Sequence, residues 1–112
     1  MSRLPTHVEV AGILRKVAAD GDFATVMRKG DPDRGSLLIF VSSRGALHAA
    51  LERVLSHQGD YRWQAAKLPD SMGSTEISDF LAKRARFDDD LWAIELDIAD
   101  PERFIAETTG LG

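Results

Sequence analysis

One stretch of the chain decides its fold: FDDDLWAIELDI, residues 87–98. After three aspartates, apolar side chains recur at every second position, which is the spacing of a β-strand with one apolar face. The apolar face consists of Trp92, Ile94, Leu96 and Ile98, and the other face of Ala93, Glu95 and Asp97. The stretch therefore predicts a strand that directly follows an acidic turn.

The composition is that of one globular domain. The chain has 112 residues, of which 44% are hydrophobic and 29% charged, and this length can bury a core. The absence of cysteine excludes disulfides and thiolate metal sites and fits a reducing compartment. The N-terminus lacks the apolar core of a signal peptide, and no apolar run approaches the roughly 20 residues that span a bilayer. We therefore expect a single cytoplasmic domain over residues 1–112, with no membrane partner.

The charge is uneven along the chain. The net charge is −4, and residues 61–112 carry six basic side chains against eleven acidic ones. Such a surface repels the phosphate backbone of nucleic acids. An RNA-binding module is therefore only the third functional hypothesis.

Three segments have the apolar spacing of amphipathic helices: residues 7–19, residues 75–86 and a short segment from Pro101 onward. Thr6 and Glu9 match the capping box of the first helix. Ser74 or Thr75 is the expected N-cap of the second. Asp100 is the expected N-cap of the third, because proline is favoured at the position that follows a cap.

Two early strands are predicted to pair as a hairpin. Residues 23–29 form the first, and residues 36–42 form the second, whose continuous apolar centre is typical of a strand covered on both faces. The turn between them, residues 30–35, contains a proline between two glycines. Residues 61–65 are predicted to form a later strand.

Residues 46–55 allow two interpretations. Their apolar side chains form a good helical stripe, and Ala, Leu, Glu and Arg are good helix formers. A strand would place Arg53 on the same face as Leu47 and Leu51, which is a less regular pattern. The pattern alone favours a helix.

Three blocks of the chain resemble a known family. They are RKGDP at residues 28–32, FLAKRARFD at residues 80–88 and DLWAIE at residues 90–95. They resemble an uncharacterised alphaproteobacterial family catalogued as a domain of unknown function, DUF1491. Its members usually carry proline where this chain has Asp89. The resemblance implies a strand at residues 46–55, and it transfers no activity.

These observations predict a small α+β domain. The sheet is an antiparallel meander of about four to five strands, including the acidic one, and residues 46–65 form a hairpin, as the resemblance implies. An N-terminal helix, a middle helix and a short C-terminal helix complete the domain.

The two tryptophans suggest an interaction surface. Trp63 and Trp92 lie on strands, where aromatic side chains are usually part of the core. The alternative is an exposed pair that forms a binding platform with Arg28 and Arg62, because tryptophan and arginine dominate interface hot spots. Asp31, in the turn after Arg28, completes this candidate surface. Our leading hypothesis is a non-catalytic module that binds another protein or forms a homodimer through an exposed sheet edge.

The acidic turn supports a second hypothesis. Asp88 and Asp90 have the oxygen ligands that Mg²⁺ or Mn²⁺ prefer. They would serve an enzyme that acts on a phosphorylated substrate, with Arg28 or Arg62 as the anion clamp. The simpler interpretation is a solvated turn in which Asp88 or Asp90 accepts backbone N–H bonds. We therefore predict no cofactor. We also expect a protein without catalytic activity rather than an enzyme.

Overall fold

Five strands form one mixed sheet in the computed structural model, which describes residues 4–55, 57–66, 68 and 73–110. The elements are α1 (Thr6–Ala19), β1 (Phe23–Arg28), β2 (Leu37–Ser43), β3 (Ala46–Leu55), β4 (Tyr61–Ala65), α2 (Ser74–Phe87), β5 (Trp92–Asp97) and α3 (Pro101–Thr109). Across the sheet the strands follow the order β1-β5-β2-β3-β4. The predicted α+β class is confirmed. In the described part of the chain, no helix is long and apolar enough to cross a bilayer.

The predicted hairpin between the first two strands is wrong. Strand β5 lies between them, antiparallel to β1 and parallel to β2. Ile94, at the centre of β5, is opposite Val26 on one side and Ile39 on the other. The physical reason is the burial of β5. Ala93 and Ile94 face opposite sides of the sheet and are both fully buried, and such a strand is most stable between two neighbours.

Strand β3 confirms the strand that the family resemblance implied for residues 46–55. The helix that the apolar pattern favoured there is wrong. Strand β3 runs antiparallel to β2 along most of its length, and it pairs with β4 as the predicted hairpin. Its apolar residues divide between two sides, with Leu51 packing on one face of the sheet and Ala50 on the other. Burial on both faces of the sheet outweighs the helix propensity of this segment.

The sheet separates two layers of helices. Its first face packs against α1 and α3 and carries the apolar side chains of β5 that the alternation predicted, Trp92, Ile94 and Leu96, together with Ile98. Its second face packs against α2, and Phe40 meets Phe80 there edge to face at 6.1 Å. Residues 37–41 of β2 are all buried, so the predicted central strand is confirmed.

The helix starts differ in part from the predicted caps. Pro5, rather than Thr6, is the N-cap of α1. Thr6 is fully buried and donates from Oγ1 to the Gly35 carbonyl oxygen at 2.7 Å. The predicted capping box is wrong because the Thr6 hydroxyl bonds to the loop of residues 30–35, which contacts the start of α1, and not to the backbone of its own helix.

The other two helices show one wrong cap and one confirmed cap. The N-cap of α2 is Gly73, whose N–H donates to the Glu76 carboxylate at 3.1 Å. This position lies before both predicted caps. At α3 the prediction is confirmed, since Asp100 accepts a hydrogen bond from the Arg103 N–H at 3.1 Å.

Candidate functional site

The five residues of the predicted interaction surface lie in two separate places. Arg28, Asp31 and Trp92 lie where the loop of residues 30–35 meets residues 88–92, a contact that we call the Asp31 junction. Arg62 and Trp63 lie on β4 at the opposite edge of the sheet. We call the side of β4 that faces away from β3 the β4 edge.

The Asp31 junction is held by backbone hydrogen bonds and by one indole. The Asp31 N–H donates to the Asp90 carbonyl oxygen at 3.1 Å. The Trp92 Nε1–H donates to the Asp31 carbonyl oxygen at 2.7 Å. Trp92 is only 7% exposed and belongs to the core. The interpretation of Trp92 as a core residue is therefore correct, and Trp92 is not one half of an exposed pair.

Two glycines allow the backbones of the Asp31 junction to approach closely. A Cβ atom added to Gly30 would overlap the Asp90 carbonyl oxygen, and one added to Gly35 would overlap the same atom. The Gly35 Cβ would also lie 2.7 Å from Cδ1 of Trp92. Glycine is the residue that permits such close approach of two backbones. The sequence showed these glycines as turn residues but did not indicate what they approach.

The Asp31 carboxylate stabilises its own loop. Its Oδ1 accepts the N–H of Arg34 at 2.8 Å and that of Asp33 at 2.9 Å. These two hydrogen bonds lower the pKa of the Asp31 carboxyl group below its ordinary value, and the bond from Arg34 has the larger effect. The side chain therefore acts as an Asx-turn acceptor.

Arg28 is tied to the acidic turn by its side chain. Its Nη2 donates to the Asp89 carbonyl oxygen at 3.0 Å. Its Nε is buried and has no hydrogen-bond partner among the described residues. Arg28 therefore contacts the backbone of the turn.

The acidic turn has the geometry of a turn in which an aspartate side chain accepts a backbone N–H bond, which was the simpler interpretation. Asp88 is the C-cap residue of α2, and its Oδ1 accepts the Asp90 N–H at 3.0 Å. Within residues 4–55, 57–66, 68 and 73–110, no group of three or more His, Asp or Glu side chains could hold a metal ion. Asp88 and Asp90 as metal ligands remain a prediction.

The β4 edge is supported from within the domain by Arg53. Trp63 lies opposite Arg53 in the β3–β4 pair. The guanidinium of Arg53 lies 5.0 Å from the centre of the Trp63 ring. The same group donates two hydrogen bonds to the Glu9 carboxylate, at 2.6 and 2.9 Å. The Arg53 side chain is 8% exposed. The bidentate pair therefore fixes α1 relative to β3, and the ring contact links β3 to β4.

Arg62 lies on the other face of β4 from Trp63, because successive side chains of a strand alternate. It is exposed, and its Nη2 donates to the Gln58 side chain at 3.3 Å. Arg28 and Arg62 lie on opposite edge strands. The structure therefore does not bring the two arginines together on one binding platform.

Sequence reasoning missed Arg53 and Asp97 as structural residues. The available signal for Arg53 was its place as the one cation on an otherwise apolar strand face. Asp97 accepts the N–H groups of Arg44 and Gly45 at 2.9 and 3.0 Å. Both of these residues have positive φ, as in the tight turn of a hairpin. Asp97 therefore holds the β2–β3 turn, a contact that no local pattern could indicate.

Two cavities lie near these elements, and the second of them is lined in part by Asp88 and Leu91 of the Asp31 junction. One of about 450 Å³ separates α1 from α3 and is lined in part by Val17, Ile98 and Phe104. Another of about 200 Å³ lies at the end of α2, near Arg84 and Phe87. Neither cavity is lined by a residue of the predicted interaction surface.

Comparison with known proteins identifies the family. The model of the family described as "Protein of unknown function (DUF1491)" matches residues 4–106 of the chain. The chain belongs to the DUF1491 family. The predicted resemblance is confirmed, and the description of the family names no activity. No curated protein matches the chain.

Solved structures of DUF1491 proteins have the same fold. The crystal structure of a DUF1491 family protein from Caulobacter crescentus CB15 is 28% identical, with a TM-score of 0.77 over 91% of this chain and 94% of that one. An NMR structure of a DUF1491 family protein from the same organism is 27% identical, with a TM-score of 0.76 over 93% and 94%. The solution structure of protein Atu0922 from A. tumefaciens is 24% identical, with a TM-score of 0.71 over 88% of each chain, and supports the fold alone.

Proposed function

We propose that this DUF1491 protein is a non-catalytic module that binds another polypeptide along the β4 edge, by addition of a strand to its sheet. In strand addition, main-chain hydrogen bonds supply affinity, and pockets for alternate side chains supply specificity. The observation that carries the proposal is the regular geometry of β4, which pairs with β3 over five successive residues without a register shift.

The direction of the backbone groups follows from one hydrogen bond. The Ala66 N–H donates to the Ala50 carbonyl oxygen at 2.7 Å. In an antiparallel pair, residues that exchange backbone hydrogen bonds alternate with residues whose backbone groups point away. Trp63 and Ala65 therefore direct their N–H and C=O groups away from β3. In the part of the chain that the structure describes, the sheet ends at β4.

The other edge of the sheet is less suited to strand addition. Strand β1 has a register shift between Val26 and Arg28. A bulge of this kind bends a strand and is one of the devices that protect an edge from pairing. The regular edge is therefore that of β4.

The side chains of β4 fit a binding role. Tyr61 is 56% exposed, and Trp63 is half-buried against the core. Tyrosine, tryptophan and arginine are the residues enriched at interface hot spots. Arg53 holds the Trp63 ring in place, so little conformational freedom would be lost on binding.

Substitution of Ala65 tests the proposal. Ala65→Pro removes an outward N–H and no bond to β3, and proline is tolerated on an edge strand in this orientation. Ala65→Ser is the matched control that keeps the N–H. Each variant would serve as bait in crosslinked capture from a lysate of the source cells, with untagged copies of the chain also present.

We expect a polypeptide that the wild type and Ala65→Ser capture and that Ala65→Pro does not. Equal capture by all three baits, or no capture above background, would overturn the proposal. Circular dichroism of Ala65→Pro verifies folding, and Ala65→Lys, which places a charge on the edge, replaces it if it unfolds.

A further inference from the structure

The geometry of β4 points to a specific occupant of its edge: β4 of a second copy of this chain, antiparallel and centred on Trp63. This inference rests on the proposed function and names the partner at the same edge. The resulting dimer would have a two-fold axis through the Trp63 pair and a sheet that continues from one protomer into the next.

A two-fold axis requires that one patch of surface complement itself. With the axis at Trp63, each Trp63 would exchange backbone hydrogen bonds with the Trp63 of the other copy, because its N–H and C=O groups point outward. Arg62 would then lie opposite Gln64.

Other registers are less favourable. An axis at Arg62 would place two guanidinium groups directly opposite each other, and like charges in that position destabilise a sheet. An axis at Gln64 or Ala65 would extend the pairing past Ala65, where β4 ends. An axis at Tyr61 would bring Gly59, which has a φ of 87°, into the ladder.

The charge of β4 supports the register centred on Trp63. Arg62 is the single charged residue of the strand, and in this register it faces a neutral amide. The aromatic rings of the two Trp63 residues would lie across from each other, which is a favourable cross-strand pair. A strand of five residues gives an interface below the roughly 1,200 Å² of stable complexes. The dimer should therefore form and dissociate with concentration.

Cysteine crosslinking tests the register directly, since the chain has no cysteine of its own. Residues opposite each other in a non-hydrogen-bonded pair have Cα atoms about 4.5 Å apart, which suits a disulfide. Arg62→Cys and Gln64→Cys, both at exposed positions, would be mixed in equal amounts in a thiol-disulfide buffer. The denatured protein, mixed in the same way, gives the random distribution.

We expect the mixed disulfide to exceed both same-variant disulfides by about tenfold, because same-variant pairs lie on a diagonal of about 7–8 Å. A random distribution, or a preferred Gln64→Cys self-disulfide, would overturn the inferred register.

Sedimentation equilibrium of the wild type and Ala65→Pro tests the dimer itself. We expect reversible dimerisation of the wild type that Ala65→Pro abolishes. A strictly monomeric wild type at millimolar concentration would overturn the dimer. If another polypeptide were then still captured in an Ala65-dependent way, the proposed function would stand with a different partner. If nothing were captured, both would fall.

Discussion

Trp92 donates its indole N–H to the carbonyl oxygen of Asp31 at 2.7 Å, across 61 positions of the chain. This bond joins the start of β5 to the loop that leads into β2. The Asp31 N–H returns a hydrogen bond to Asp90, so the two segments are tied in both directions. The first residue of the fold-determining strand is therefore held by the loop of residues 30–35.

Trp92→Phe should destabilise the protein by about 1–2 kcal/mol, because the Asp31 carbonyl oxygen is left without its donor while most of the apolar surface remains. Chemical denaturation monitored by circular dichroism measures the difference in unfolding free energy. Trp63→Phe, which removes the same atoms from the other tryptophan, is the control. An equal loss in both variants would contradict a special role for the bond to Asp31.

Two glycines should respond in opposite directions to alanine. Gly30→Ala should destabilise the fold by about 1–3 kcal/mol or more, since its Cβ would overlap the Asp90 carbonyl oxygen. Gly12→Ala should stabilise it by about 0.5–1 kcal/mol, because Gly12 lies within α1 and its Cβ would meet only Nη2 of Arg15, at 4.0 Å. Thermal and urea unfolding of both variants test this pair. Equal effects would show that the Asp31 junction yields easily.

Glu9→Gln should destabilise the protein by about 3 kcal/mol, since it leaves the charge of Arg53 buried without its counter-ion. The control is Glu107→Gln, which breaks the exposed pair with Arg103 and should have an effect below about 1 kcal/mol. Urea denaturation measures both. A loss at Glu9 as small as that at Glu107 would contradict the structural importance of the Arg53 pair.

The stability contributed by Asp31 should depend on pH. Its pKa is lowered in the folded protein by the N–H groups of Arg34 and Asp33. A carboxyl group of this kind stabilises the fold above its unfolded pKa, and the contribution is lost as pH falls through the folded pKa. The stability difference between the wild type and Asp31→Asn should therefore be constant above about pH 5 and shrink below about pH 4. Urea titrations across this range test it, and a constant difference down to pH 2 would contradict it.

Divalent cations should leave the thermal midpoint unchanged, because Oδ1 of Asp88 already accepts a backbone hydrogen bond. Millimolar Mg²⁺, Mn²⁺ and Ca²⁺ would be compared by differential scanning calorimetry. A site of micromolar affinity would add about 4 kcal/mol at a thousandfold excess, which is a rise of more than about ten degrees in a domain of this size. Such a rise, lost in Asp90→Asn, would favour the metal-dependent enzyme instead.

Local patterns in the sequence determined most of the elements, although the pattern of residues 46–55 favoured a helix where strand β3 forms. The alternation in residues 92–98 specified which side chains of β5 face α1 and α3, and the apolar run in β2 specified a central strand. The cap at Asp100 was also readable, since it involves residues only three positions apart. The core position of Trp92 followed from the usual preference of aromatic side chains on strands.

The tertiary structure alone decided which elements meet. The insertion of β5 between β1 and β2 depends on burial of both its faces, and no pattern within a single strand specifies its neighbours. Thr6 matches a helix cap in the sequence, but its hydroxyl donates instead to a carbonyl oxygen of a loop 29 residues away. Arg53 makes the apolar alternation of β3 irregular, and only its distant partners Glu9 and Trp63 explain why a cation lies there. Periodicity is a short-range property of the chain, whereas pairing and ion-pair partners depend on which distant surfaces are buried together.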